Sequence, residues 1–167
     1  MSRIDAREKA MQILYQLDID TVDPEEQYAD FLEKYTYEDN FKAEAEAKLN
    51  EAAKKQFEED IDAGLIVPLS KDDLKYLKNL VFGVLKHIDE LDKIYGQYLK
   101  NWTIERLPVL ERTLLRIATY EIVYDDNVPD SVAINEAINL SHRYVDEDSY
   151  SYINAVLGKV SANKAKD

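Results

Sequence analysis

Hydrophobic residues recur at steps of three and four along most of this chain, and no segment sustains the alternation of a β-strand. This spacing predicts amphipathic helices. The clearest stripe lies in residues 70–99 and consists of Leu74, Leu77, Val81, Val84, Ile88, Leu91, Tyr95 and Tyr98. We interpret it as a seam that packs another helix, inside the protein or across a homodimer, and we favour an internal core helix.

Capping residues predict where several helices begin. Ser2 with Asp5, and Ser70 with Asp73, have the spacing of a capping box. The predicted helices cover residues 2–19, 24–35, 40–62, 70–99 and 108–124, then one that follows Asp130, and a last one that begins at Asp148 or Ser149. The pattern therefore predicts an all-α fold.

Charged residues lie within the hydrophobic spacing of residues 101–160, not only opposite it. A buried charge needs a partner, since removing one member of a buried pair costs about 3–5 kcal/mol. We predict that Arg116 and Glu121 belong to a paired network that sets how the helices dock.

Two arginines at the start of the first helix, Arg3 and Arg7, are four residues apart and so lie on one face. We expect this face to turn away from the apolar stripe of Ala10, Ile13 and Leu14. A solvated surface with interspersed charges is the favoured interpretation of the pattern alone, and an anion-binding face is the alternative.

The net charge of −13 argues against binding nucleic acid through phosphates. Residues 21–63 hold 14 Asp/Glu against 5 Lys/Arg, a balance of −9, so the acidity is concentrated there and a basic patch elsewhere stays open. The 167 residues contain no cysteine, which excludes disulfides and thiolate chemistry and fits a reducing cytosol. With no apolar run of signal-peptide or membrane-spanning length, we expect a cytoplasmic protein.

Catalytic and metal-binding motifs are absent from the sequence. It has no glycine-rich phosphate loop, no His-Glu-x-x-His motif and no nucleophile elbow. The two histidines, His87 and His142, lack the spacing of metal ligands. We therefore predict that the protein is not an enzyme and needs no metal or cofactor.

Several motifs in order along the chain resemble the NusB family of transcription antitermination factors. They are Ala6-Arg7-Glu8 through Leu14-Tyr15, Trp102 to Leu107, Leu114-Leu-Arg-Ile-Ala with Tyr120-Glu121, Val128-Pro129, Val132-Ala-Ile-Asn-Glu-Ala, Asp148-Ser149 and Asn154-Ala-Val-Leu. The resemblance implies one domain over residues 1–167, a bundle of about seven helices in two packed halves. These would be residues 1–99, with an acidic insertion near 21–66, and residues 100–163.

The resemblance also implies a function without catalysis or cofactor. Family members bind boxA RNA of ribosomal RNA leader transcripts together with NusE, a protein of the small ribosomal subunit, and help RNA polymerase read through terminators. Carried over residue by residue, the RNA-binding side chains are Arg3, Arg7, Asp148, Ser149 and Tyr152. Those that would bind NusE are Tyr15 and Glu111. We expect the amino-terminal arginines to lie free beside Tyr152.

The sequence departs from the family pattern in three places. Ile4 and Asp5 stand where an arginine run is typical, Ala155 replaces a usual glycine, and residues 21–66 are longer than the family's connection. Fewer arginines weaken phosphate contacts, so we predict that NusE supplies much of the positive charge. The alternative is a protein-interaction module with the same fold and weak or no RNA binding, in which the acidic segment covers the arginines.

Overall fold

The fold is described from a computed structural model, which describes residues 3–35, Lys55, Glu59 and 70–164. Within these residues the elements are α1 (Arg3–Ile19), α2 (Pro24–Tyr35), α3 (Lys71–Lys86), α4 (Ile88–Gly96), a 3₁₀ turn (Ile104–Arg106), α5 (Val109–Tyr124), α6 (Asp130–Tyr144) and α7 (Glu147–Lys164). The described residues form no strand, so the prediction of an all-α fold with about seven helices is confirmed. The predicted helix over 40–62, and most of the acidic insertion, lie outside the described residues.

Helix α5 lies at the centre of the bundle and packs against α1, α3, α4, α6 and α7. Its buried residues cover about two thirds of the helix circumference: Thr113, Leu114, Leu115, Ile117, Ala118, Thr119, Glu121 and Ile122. A helix with so wide a buried face is one that other helices surround. The motif around Leu114 to Ala118 is therefore the innermost part of the core.

The segment 70–99 forms two helices where the pattern predicted one. Ser70 caps α3 as expected, accepting a hydrogen bond from the Asp73 backbone N–H at 3.1 Å. The helical ladder changes at His87, whose backbone N–H is shared between the carbonyls of Gly83 and Val84 at 3.2 Å each. The apolar spacing continues across this junction, which is why the break is invisible in the pattern.

The seam of this segment faces the interior of the same chain. Leu77, Val81, Val84, Leu91 and Tyr95 are buried, and α3 packs on α1 and α5. The interpretation as an internal core is confirmed for these positions. Whether the chain also forms a homodimer, and where the predicted halves divide, stay predictions. In the part of the chain that the structure describes, no helix has the length and apolar character needed to cross a membrane.

Ion pairs fix α1 antiparallel to α5. Near the start of α1, Arg7 pairs with Glu121 at 2.8 Å. Near its end, Asp18 pairs with Arg112 at 2.6 Å and lies 3.6 Å from Arg116. Arg116 also donates two hydrogen bonds to the Asp92 carboxylate, both at 2.8 Å. The prediction that Arg116 and Glu121 belong to a paired network between helices is confirmed.

Candidate nucleic-acid interface

Arg7 is buried, so the prediction that it turns away from the apolar stripe is wrong. Its side chain is 4% exposed, and its guanidinium donates to both carboxylate oxygens of Glu121 at 2.8–3.1 Å. The Tyr76 hydroxyl donates to the same carboxylate at 2.5 Å. The physical reason is helical spacing: Arg7 lies four residues before Met11 and seven before Leu14, on the buried face of α1.

The Arg7 guanidinium stays charged at any ordinary pH. Burial lowers the pKa of the guanidinium, but the hydrogen bonds and charge of Glu121 outweigh that effect and raise the pKa above its usual value. Because its side chain is buried against Glu121, Arg7 is placed to position α1 on α5 and not to contact a phosphate. Arg3 remains exposed one turn earlier, with its guanidinium 4.8 Å above the centre of the Tyr76 ring.

The start of α7 brings two predicted groups of site residues into contact. The Ser149 hydroxyl donates to the Glu111 carboxylate at 2.6 Å, joining a predicted RNA-binding residue to a predicted NusE-binding residue. Asp148 is exposed beside it. Tyr152 packs against the core, and its buried hydroxyl has no hydrogen-bond partner among the described residues. Burial, and next the Glu111 charge, raise the pKa of Tyr152.

Arg3 and the start of α7 lie at opposite ends of α1. Ser149 touches Glu111, whose neighbour Arg112 pairs with Asp18 near the end of α1. Fifteen residues of helix separate Arg3 from Asp18, a rise of about 22 Å. The expectation that the amino-terminal arginines lie beside Tyr152 is therefore wrong. The spacing within each helix was visible in the sequence, but the antiparallel docking of α1 on α5 was not.

Tyr15, on the last turns of α1, is exposed at the same end as Glu111.

Sequence reasoning missed a group of exposed aromatic and basic side chains at the connection between α6 and α7. We call it the α6–α7 surface, and its members are His142, Arg143, Tyr144 and Tyr150. The rings of His142 and Tyr150 lie 4.8 Å apart, and the Arg143 guanidinium lies 5.6 Å from the centre of the Tyr144 ring. Tyr144 and Tyr150 are both 41% exposed. The signal available in the sequence was one basic residue close to two tyrosines, namely Arg143, Tyr144 and Tyr150.

Glu8 of α1 holds this surface in place. It accepts a hydrogen bond from the Tyr144 hydroxyl and pairs with Arg143 at 2.9 Å. Gln12 adds a contact of 3.4 Å from its side-chain amide to the Tyr144 hydroxyl. The surface thus combines exposed rings, on which bases stack, with a cation for a phosphate, and a neighbouring helix fixes both.

Comparisons with known proteins agree with this architecture. The NusB family model matches residues 26–162. The transcription antitermination protein NusB of Oceanobacillus iheyensis is 35% identical over 162 residues, covering 97% of this chain and all of that protein. The solved structure of NusB from T. maritima superposes with a TM-score of 0.73 at 22% identity, over 99% of this chain and 94% of that one.

A further solved structure contains the antitermination factors NusB and NusE in complex with double-stranded RNA. It superposes with a TM-score of 0.68 at 24% identity, covering 97% of this chain and 98% of that chain. At this identity the two solved structures establish the fold.

Proposed function

Since this chain belongs to the NusB family, we propose that it is a transcription antitermination factor that binds boxA-type RNA together with NusE and supports processive transcription by RNA polymerase. The observation that carries the proposal is a 35% identical antitermination protein aligned over 97% of the chain. A second support is the α6–α7 surface, which has the chemistry that single-stranded RNA requires. No step of this role calls for a catalytic group or a cofactor.

We assign the RNA contact to the α6–α7 surface with Asp148 and Ser149 at its edge. Exposed Tyr150 and His142 offer rings to bases, and Arg143 offers a guanidinium to a phosphate. The NusE contact is assigned to Tyr15 and the neighbourhood of Glu111. The hydrogen bond from Ser149 to Glu111 joins the proposed RNA contact to the proposed NusE contact. This chain and NusE would therefore bind RNA as one unit.

A protein-interaction module without RNA binding is the second candidate. It is favoured by the net charge of −13 and by the withdrawal of Arg7 into the Glu121 pair, which leaves fewer cations for phosphates. The suggestion that the acidic segment covers the arginines concerns residues largely outside those described. The two candidates differ in one respect, namely whether the complex with NusE holds boxA RNA.

A fluorescence anisotropy titration with labelled boxA RNA, in the presence and absence of NusE, tests the proposal. We expect weak binding by the chain alone and tight binding with NusE. The salt dependence should be steeper with NusE, since each added phosphate contact changes the slope by about 0.7 for a single strand. Equal slopes would count against the charge contribution of NusE. Binding of NusE without RNA binding would establish the interaction module instead.

Variants locate the RNA contact. Tyr150→Ala should weaken RNA binding by the NusE complex by about 1–3 kcal/mol, the usual contribution of a stacked base, and Arg143→Ala should reduce the salt slope. Lys159→Ala, which removes an exposed charge nine residues after Tyr150 on α7, is the matched control and should leave RNA binding unchanged. If all three variants bind alike, the assignment to the α6–α7 surface is wrong.

A further inference from the structure

A groove lies between α3 and the end of α5. Its volume is about 1060 Å³, large enough for more than one nucleotide. We call it the α3–α5 groove, and the lining residues used below are Lys75, Lys78, Lys86, His87, Tyr120 and Tyr124. None of them is among the RNA-binding or NusE-binding residues that the family resemblance implies, although Tyr120 belongs to one of its motifs.

Basic side chains line one wall of this groove. Lys75, Lys78 and Lys86 are exposed on α3, and none of the three forms an ion pair with another described residue. Arg3 adds a fourth cation from the start of α1. Three carboxylates, from Glu25, Asp72 and Asp125, also line the groove, so its cations outnumber its anions. The margin is a single charge, and the Glu90 carboxylate lies 3.3 Å from the His87 ring. The positive charge is therefore concentrated on the lysine wall of α3, and that wall favours an anionic ligand.

Aromatic rings form the opposite wall. His87 stacks on Tyr124 with ring centres 4.4 Å apart and planes 21° apart. Tyr120 lies 5.5 Å from Tyr124, so the three rings form a continuous tier. Tyr124 is 37% exposed, and the Glu90 carboxylate lies 3.3 Å from the His87 ring at the edge of this tier. Such a tier offers an exposed aromatic surface to a base.

We propose that the α3–α5 groove is a second RNA-binding surface, which takes single-stranded RNA flanking the boxA element. Lysines on one wall would neutralise phosphates while bases stack on the rings of the other. This combination is characteristic of sequence-tolerant single-strand binding. An acidic peptide would use the lysines and leave the ring tier without a function. The inference rests on the proposed function, because it extends the path of the same RNA.

Three probes test it by fluorescence anisotropy with the full chain and NusE: boxA RNA alone, the same RNA with unstructured uridine tails on both sides, and a uridine oligonucleotide alone. We expect the tails to tighten binding about tenfold, the effect of one stacked base. Combining Lys75→Ala, Lys78→Ala and Lys86→Ala should abolish that gain and leave binding of boxA alone unchanged. It should also reduce the salt slope for the tailed RNA by about two.

The matched control combines Lys93→Ala, Lys100→Ala and Lys159→Ala, which remove the same charge from exposed positions outside the groove. It should keep the gain from the tails. Tyr124→Ala should lose the gain, whereas Tyr124→Phe, which keeps the ring, should retain it. Equal circular dichroism unfolding curves would show that the variants are folded.

The outcomes separate the two proposals. If the tails add no affinity, or if the groove and control variants behave alike, the groove inference is overturned. Equal weakening of boxA alone and of the tailed RNA by the groove variant would also overturn it, since the groove would then not be a second surface. If boxA RNA fails to bind while the uridine oligonucleotide binds wild type and not the groove variant, the proposed function fails and the groove still binds RNA.

Discussion

The buried pair of Arg7 and Glu121 provides the sharpest test of how this fold is held together. Three groups share one site: the Arg7 guanidinium, the Glu121 carboxylate and the Tyr76 hydroxyl. They belong to α1, α5 and α3, so one cluster ties three helices. Replacing Arg7 or Glu121 singly by Met leaves an uncompensated buried charge, and replacing both leaves none.

The expected magnitudes follow from that difference. Each single replacement should cost about 3–5 kcal/mol of unfolding free energy, because the remaining charge is buried without its partner. In a domain of this length each kcal/mol shifts the melting temperature by about 2–4 °C, so each single variant should melt roughly 10 °C lower. Glu121→Met also leaves the Tyr76 hydroxyl without its acceptor, which adds about 1–3 kcal/mol.

The double variant separates burial from pairing. Apolar side chains in place of a buried ion pair are often neutral or stabilising. Arg7→Met with Glu121→Met should therefore cost less than either replacement alone, and a double-mutant cycle should give a coupling of several kcal/mol. Urea unfolding followed by far-UV circular dichroism measures all four proteins. Trp102 is a poor probe of this cluster because it is half exposed in the connection before α5.

Arg3→Met is the matched control for these variants. It removes the same charge from the same helix one turn earlier, where the arginine is exposed over the Tyr76 ring. The lost cation–π contact should cost at most about 1 kcal/mol. If Arg7→Met is as mild as Arg3→Met, or if the two Met replacements are additive, the reasoning about the buried pair is refuted.

Three further predictions concern helix ends and a second ion pair. In urea unfolding, Ser70→Ala should lower the unfolding free energy by about 1 kcal/mol and Ser70→Gly by only a few tenths of that. Both variants lose the capping hydroxyl, but glycine suits the N-cap position. Equal costs for the two variants would contradict a capping role for Ser70. Arg116→Met should cost about 2 kcal/mol by the same assay, through two lost charged hydrogen bonds to Asp92. Burial raises the pKa of Asp130, but Lys164 outweighs it and the pKa is lowered. The Asp130–Lys164 pair therefore stabilises the fold fully above the pKa of Asp130 in the unfolded chain, which is near 4. This stabilisation is lost as the pH falls through the lower pKa of Asp130 in the folded protein. Asp130→Asn should reduce the fall in unfolding free energy between pH 5 and pH 2. If that fall is unchanged, the Asp130–Lys164 pair is not its cause.

The helices and the presence of internal charge pairs were predictable because both depend on spacing within one segment. The partner of Glu121 was not, since Arg7 lies 114 positions away and only the docking of α1 on α5 joins them. The same applies to the α6–α7 surface, where Glu8 reaches Tyr144 across 136 positions. Residue type is misleading at Arg7, because arginine usually lies in solvent whereas its spacing here places it on the buried face of α1.

The burial of Arg7 and its place in a family motif are compatible if Arg7 acts by positioning. Its pair with Glu121 fixes the start of α1, and the pair of Asp18 with Arg112 fixes the end. Glu8, the residue next to Arg7, anchors Tyr144 and Arg143 of the α6–α7 surface. Loosening α1 would therefore displace that surface without removing any group that touches RNA.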